Sequence, residues 1–372
     1  MVAIAQVVEA FAYGTAKSVR QLCGLLSPAD RVTVFYGQRQ GTELDLKELD
    51  PRVQWQALPG KGKTKHFTNL RHLEVALSKS FDIVHGHSSY GGLYAKLLGP
   101  RLGLTTLYSP RGFAFLREDF PTVGRWGFRQ IERLTSGRCL TVCCGPYEHK
   151  LAKSLGGPTI QINNGFVVEM PFGIDSIGDY ILGVGRICHQ KGFDIFVETA
   201  RRLPMKRFTW VGEAQKANEP LLNGLPSNLT LYPYIDHAIL LNMIRRSRMI
   251  LLPSRWEGLS RFLIESVCLG KAVVTSRFPA NLDCLDPTGP NQYSNGFACQ
   301  AIEEYVRAVR HLSEKDECLY KMQSASHDYA QENFDIRKIT SKWRDLYYSF
   351  NDQTQASQKA GCTLANSLHT YK

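Results

Sequence analysis

Short apolar runs alternate along the chain with stretches in which apolar residues recur every three or four positions. Residues 2–8, 31–36, 53–58, 81–85, 139–144 and 159–162 read as buried strands. Residues 16–26, 68–78, 91–98 and 147–155 carry the helical period between them. Residues 166–179, with Pro171, Gly173 and Gly178, read as a linker, and then the alternation restarts. Residues 180–184, 208–211, 229–235, 249–252 and 272–274 are strand-like, while 193–202, a stretch from Ser260, 303–312 and 316–333 are helical. Strand, helix and strand in succession predict a doubly wound parallel sheet, and the restart predicts a second one. Residues 278–295, rich in Pro, Asn and Gly, read as a mobile surface loop. A last helix over 337–350 lines up Ile339, Trp343, Leu346 and Tyr347, and the polar 351–372 reads as a disordered tail.

Composition leaves this picture intact and adds charge to it. A chain of 372 residues, 43 % hydrophobic and 21 % charged, suits two soluble cores. It has no apolar run long enough to span a bilayer, and residues 1–8 read as the first strand, not a signal peptide. Ten cysteines without a Cys-x-x-Cys pair indicate neither a zinc site nor a disulfide framework. The net charge is +11, and two local clusters of cations stand out. Lys61, Lys63, Lys65, His66 and Arg71 lie beside Gly60 and Gly62, and Arg125, Arg129 and Arg133 recur at helical spacing beside Trp126 and Phe128. These are solvated faces or, in functional terms, the footprint of an anionic membrane surface. No nucleic-acid motif accompanies them, so no nucleic-acid partner is expected.

Candidate chemistry falls in the turns that follow strands, where open α/β sheets bind ligands. Gly14 and Thr15 precede the first helix. His85 and His87 flank Gly86 at a strand end, with no third metal ligand nearby. Arg111 and Gly112 follow another strand, and Asn163, Asn164 and Gly165 close the first half. In the second half, Gly185, Arg186, Lys191 and Gly192 place two cations before a helix N-terminus, an anion site in composition. Glu257 and Gly258 lie in a turn whose following residues, Leu259 and Ser260, would offer first-turn amides to an anion, and Glu265 lies about two turns into that helix.

The Glu257 to Glu265 string, the Gly185-Arg186 to Lys191-Gly192 string and the Asp82 to His87 run together resemble the family 4 retaining glycosyltransferases, which have the GT-B fold. The resemblance covers nearly all of the chain to Phe350. It implies two Rossmann-like domains facing a cleft, an acceptor-binding domain over 1–166 and a nucleotide-sugar domain over 167–335, with 336–350 crossing back. It implies that Arg186, Lys191 and the amides after Gly258 hold the donor diphosphate, that Glu265 holds the ribose, and that Glu257 and His87 face the reacting sugar. Gly14, Thr15, Arg111 and Asn164 would line the donor and acceptor cleft. Many family members have histidine where Arg111 stands, and Pro233 and Tyr234 are unusual in the strand that contacts the base. The implied reaction is retaining transfer from a nucleoside diphosphate sugar, UDP-linked by expectation, to a lipid-linked saccharide at the cytoplasmic face of the inner membrane. No Asp-x-Asp pair occurs, so no metal and no other cofactor is expected. Two rivals stand beside this reading: a GT-B nucleotide-sugar epimerase, and a non-catalytic basic protein that binds polyanions or glycans.

Overall fold

The computed structural model describes residues 1–38, 49–78, 81–170 and 178–360. The chain divides into two compact units, Met1–Asn163 with Lys338–Lys372, and Asn164–Arg337. Each is built on its own parallel sheet.

The first unit contains β1 (Ala3–Val8), α1 (Tyr13–Leu25), β2 (Arg31–Tyr36), β3 (Gln54–Ala57), α2 (Lys65–Leu77), β4 (Ile83–His87), α3 (Ser88–Leu98) and β5 (Thr105–Ser109). It continues with α4 (Thr122–Thr135), β6 (Leu140–Cys143), α5 (Pro146–Leu155) and β7 (Thr159–Gln161). The sheet order is β3-β2-β1-β4-β5-β6-β7. Side chains alternate across it as the strand repeat requires. Ile4 and Val8 of β1 pack with α1, while Ala5 and Val7 pack with Leu73 and Leu77 of α2 and Tyr94 and Leu98 of α3.

The second unit runs β8 (Tyr180–Val184), α6 (Phe193–Arg201), β9 (Arg207–Val211), β10 (Leu229–Tyr232), α7 (His237–Arg246), β11 (Met249–Leu252), α8 (Arg261–Cys268) and β12 (Val273–Ser276). After these come α9 (Pro279–Leu282), β13 (Pro287–Gly289), β14 (Gln292–Tyr293), β15 (Gly296–Cys299), α10 (Ile302–Glu314), α11 (Asp316–Asn333) and α12 (Ile336–Ala360). Its main sheet has the order β10-β9-β8-β11-β12-β15. From Lys338 onward α12 belongs to the first unit, where Ile339, Trp343, Leu346, Tyr347 and Phe350 join the α1 side of the core. In both sheets strand order reverses beside the first strand of the unit, between β1 and β4 and between β8 and β11. Such switch points leave a crevice at the carboxyl ends of the strands.

Several boundaries differ from the pattern in the sequence. Gly14 and Thr15 are inside the first turn of α1, which starts at Tyr13 after Ala12. Glu265 is the fifth residue of α8, less than two turns in, because Ser260 is the N-cap and not a helical residue. Residues 278–295 are not a bare loop. Polar residues there are spent on the interior: Asn281 and Asn295 are fully buried, and their side-chain amides donate to the carbonyls of Ser254 and Cys284. Pro233 and Tyr234 lie beyond the end of β10. The described part of the expected linker is tied down, with Phe166 exchanging backbone bonds with Phe334 and Ile336 and Glu169 paired with Arg245 at 2.7 Å; residues 171–177 lie outside the described residues. Helix α12 runs on through Asn351 to Ala360, where no helical period is legible. That stretch has Gln, Ala and Lys and lacks Gly or Pro before Gly361, so nothing in it stops the helix. Residues 361–372 lie outside the described residues.

One buried cation strains the second core. Lys271 is fully buried, its Nζ donates to the Ser247 carbonyl at 2.9 Å, and burial pushes its pKa down to about 7. The folded value lies below the ordinary one, so between the two the unfolded chain holds a proton that the folded chain lacks, and stability rises with pH across that window. The penalty is full below about pH 7 and fades toward about pH 10. Lys271→Met should therefore raise the unfolding free energy by about 2 kcal/mol at about pH 6, with the gain shrinking toward about pH 10. Urea melts at the two pH values check this, and a variant less stable than the parent at the lower one contradicts it.

Candidate active site

The candidate residues gather at the strand ends of the two units. In the second unit the turn after β8 and the turn after β11 are laced together. Gly192 has φ 68°, and a Cβ there would meet the Pro253 carbonyl oxygen at 2.1 Å, so only glycine lets the two turns approach this closely. The approach brings Lys191 Nζ to 2.5 Å from Glu257 Oε1, with both side chains mostly buried. Arg186 donates to Gln190 Oε1 at 2.9 Å, and Gln190 Nε2 donates to the Trp256 carbonyl at 3.1 Å. Arg255 braces the same turn from outside, donating to the His189 carbonyl and to both oxygens of Asp194. Asp194 is held below the usual carboxylate range by Arg255, against the opposing effect of burial.

Directly after Gly258, Leu259 and Ser260 are buried, and Ser260 Oγ caps α8 by accepting from the Leu263 amide at 3.4 Å. First-turn amides have no acceptor within their helix, so this end of α8 is anion-seeking. Two cations and a helix N-terminus therefore converge on one crevice. Lys191 has three donors, so it can keep Glu257 and still reach an anionic oxygen. Glu265 belongs to a separate array. It is buried, with Oε2 3.2 Å from His237 Nε2 and Oε1 3.8 Å from Arg261 Nη2. A carboxylate held in this way is a pre-oriented acceptor for paired hydroxyls.

In the first unit, His85 and His87 are fully buried and point to the α12 side of β4, their rings 4.1 Å apart. Gly86 between them is required by α3, since a Cβ would meet the Gly91 carbonyl oxygen at 2.4 Å. Proton bookkeeping fixes the network. Ser109 Oγ donates to the Val142 carbonyl, so it accepts from His85 Nε2 at 3.0 Å. His85 Nδ1 then accepts from the Tyr347 hydroxyl at 2.7 Å, and that hydroxyl accepts from Gln6 Nε2 at 3.0 Å. Gln6 Oε1 finally accepts from His87 Nε2 at 2.7 Å. His87 is thereby left with a bare lone pair on Nδ1, which has no hydrogen-bond partner among the described residues. Burial holds both histidines well below the ordinary imidazole value, with Arg111 adding to the effect and His85 acting further on His87.

Arg111 sits after β5 in the left-handed region at φ 57°, a strained position for a residue with a side chain. Its neighbour Gly112 donates to Glu148 Oε1 at 2.7 Å, and Cys144 donates from its amide to Glu148 Oε2 at 2.8 Å. One buried glutamate thus clamps the turns after β5 and β6. Gly14 and Thr15 are partly exposed first-turn residues of α1, and Asn164 is the first residue of the second unit. Gln6, Tyr347, Glu148 and His237 escape a reading of the sequence. Of these, only Glu148 carries a local signal, a carboxylate in the first turn of a helix that opens with Pro146.

The network makes a spectroscopic prediction. His87 should show the ring-nitrogen shifts of the Nε2–H tautomer and titrate well below the ordinary imidazole range, because burial disfavours its charged form. Titration of its ring at about pH 6.5, or the opposite tautomer, would contradict the assigned direction of the chain. Tyr347→Phe, which strips a donor from His85 and an acceptor from Gln6, should lower the unfolding free energy by about 2 kcal/mol in a denaturant melt.

Comparison with known proteins identifies the family. Residues 13–162 match the sequence model of the glycosyl transferase 4-like domain, and residues 178–315 match that of glycosyl transferases group 1. The chain is 24 % identical, over 76 % of its length and 79 % of the relative's, to UDP-Gal:alpha-D-GlcNAc-diphosphoundecaprenol alpha-1,3-galactosyltransferase of Escherichia coli. Among solved structures it is similar to sucrose-phosphate synthase of Thermosynechococcus elongatus, with TM-score 0.79 and 16 % identity over 95 % of this chain and 100 % of the other. It is also similar to Anabaena HepE in complex with UDP and glucose, with TM-score 0.76 and 13 % identity over 94 % and 100 %. With two parallel-sheet units and both family models matched in order across most of its length, the chain belongs to the group 1 glycosyltransferases of GT-B fold.

Proposed function

We propose that this glycosyltransferase of polysaccharide or glycolipid synthesis moves a hexosyl group from a UDP-sugar to a hydroxyl of a lipid-linked saccharide, with retention at the anomeric carbon. The observation that carries the reading is the meeting of Arg186, Lys191 and the start of α8 at one crevice, with Glu257 held against Lys191. As the bond from the anomeric carbon to the diphosphate oxygen breaks, negative charge grows on the leaving group. Arg186, Lys191 and the amides after Gly258 stabilise it without reorganising. The bond from that carbon to the acceptor oxygen forms on the same face of the sugar, and the acceptor proton passes to the departing phosphate. Glu257 accepts hydrogen bonds from donor hydroxyls, Glu265 binds the ribose, and His87 meets the sugar through Nδ1. Gly14, Thr15, Arg111 and Asn164 are assigned to binding of the two substrates. Fixed cations take the part a divalent metal plays elsewhere. The UDP bound to Anabaena HepE and the donor named for the Escherichia coli relative support a uridine donor, and that relative's diphosphoundecaprenol acceptor supports a lipid-linked one. No helix among the described residues is long and apolar enough to cross a membrane, and the proposed place of action is peripheral, on the cytoplasmic face of the inner membrane.

The test is calorimetric titration of the full chain with UDP, GDP and ADP in the presence of a chelator. UDP should bind, and Lys191→Ala should weaken it by at least about tenfold, the loss of one charge-assisted contact to phosphate. Binding of none of the three, or equal binding by the variant, would remove the diphosphate site. Transfer activity should survive the chelator; activity abolished by it and restored by manganese would overturn the metal-free mechanism.

A further inference from the structure

Helix α4 carries side chains that water does not explain. By the helical repeat, Phe128, Ile131, Glu132 and Thr135 share one side, and they line a pocket of about 200 Å³ with Ser89, Tyr90, Leu93 and Lys96 of α3. Glu132 is the only acid in the helix, and it is turned inward. It accepts from Lys96 Nζ at 2.6 Å and from the Tyr108 hydroxyl at 2.8 Å, and that lysine also sits 3.8 Å over the Tyr108 ring. The opposite side presents Val123, Trp126, Arg129, Arg133 and Leu134. Val123 and Leu134 are each 79 % exposed and Trp126 is 64 % exposed.

Three classes of surface can be weighed against this face. A solvated helix face mixes charges of both signs and does not gather Trp, Val and Leu. A polyanion site uses cations and aromatic rings for stacking but has no use for Val123 and Leu134. A bilayer interface uses all of them: Trp at headgroup depth, aliphatic side chains at the acyl boundary and arginines on lipid phosphates. The missing acids on the outer face make it complementary to an anionic leaflet. Tyr90 and Ile131, at 38 % and 44 % exposure, also leave the pocket behind the helix an apolar rim.

We propose that the outer face of α4 docks on an anionic phospholipid bilayer. The inference deepens the reading above, in which the acceptor is lipid-linked, by naming the element that brings the protein to it. Trp126 is a built-in reporter, because Trp210, Trp256 and Trp343 are buried and Trp55 is partly so. The experiment mixes the full chain with vesicles of phosphatidylglycerol and phosphatidylcholine, or of phosphatidylcholine alone, and measures sedimentation and tryptophan emission. The wild type should sediment with the anionic vesicles, and its emission should shift to the blue and be quenched by brominated lipid. Trp126→Phe should lose the spectral change. Trp126→Ser with Leu134→Ser should bind vesicles at least about tenfold more weakly, and Arg129→Gln with Arg133→Gln should lose the preference for anionic lipid. All variants should bind UDP as the wild type does, which reports their folding. Unchanged vesicle binding by the Trp126 and Leu134 variant, or salt-sensitive binding of single-stranded nucleic acid in place of vesicles, would overturn the proposal. Loss of vesicle binding by a wild type that still binds UDP sinks the docking face alone. Absence of UDP binding sinks the donor reading and leaves the vesicle result to stand by itself.

Discussion

The close approach of two turns is the constraint on which the second unit's chemistry depends. Lys191 and Glu257 are 66 residues apart in sequence and 2.5 Å apart in space. They meet because Gly192 adopts a left-handed conformation with a neighbouring carbonyl where a side chain would stand. Any Cβ there would push the β8 turn off the β11 turn and separate the cation from the carboxylate. The rest of the array leans on this contact: Gln190 spans from Arg186 to the Trp256 carbonyl, and Arg255 returns from the second turn to the first. The arrangement holds two cations in place before any anion arrives, which is the condition for electrostatic stabilisation without reorganisation.

The sequence discloses what is local and hides what is not. Gly185 to Gly192 and Glu257 to Glu265 are legible because a strand end, a turn and a helix start are contiguous, and each needs glycine or charge at a fixed offset. The two sheets are legible for a similar reason, since strands buried on both faces read as apolar runs. Gln6 and Tyr347 are not legible. Their hydrogen bond joins residues 341 positions apart, and a glutamine in an apolar strand or a tyrosine in a helix carries no sign of a distant partner. Asn281 and Asn295 mislead in the other direction, because composition reads asparagine as loop while the structure uses it to satisfy buried carbonyls. Helix α4 blurs its own pattern, with apolar side chains on its exposed face as well as on its inner one.

Two sets of buried polar groups in the first unit contrast with each other. Lys96, Glu132 and Tyr108 form a closed set in which each charge has a partner, so its desolvation is offset by short contacts. Ser109, His85, Tyr347, Gln6 and His87 form a directed line in which every proton but the last acceptor is accounted for. A closed set is structural by construction. A line that ends on an unused lone pair is open to a further donor, and an orphaned acceptor in a protein interior is costly unless something eventually occupies it.

Neutrality of that last residue is also the state the proposed chemistry requires. As the donor bond stretches, positive charge spreads over the ring oxygen and anomeric carbon while negative charge collects on the diphosphate. Cations belong beside the phosphate, where that negative charge collects. Arg186 and Lys191 lie at the crevice of the second unit, where the diphosphate is proposed to bind. His87, although surrounded by hydrogen-bonding groups, is kept uncharged by burial and by the nearby Arg111. An exposed histidine would be protonated to an appreciable degree at mildly acidic pH; this one offers only a lone pair, which favours a hydroxyl donor and does not repel a developing cation. The same burial that makes the histidines expensive to protonate therefore suits the role proposed for His87.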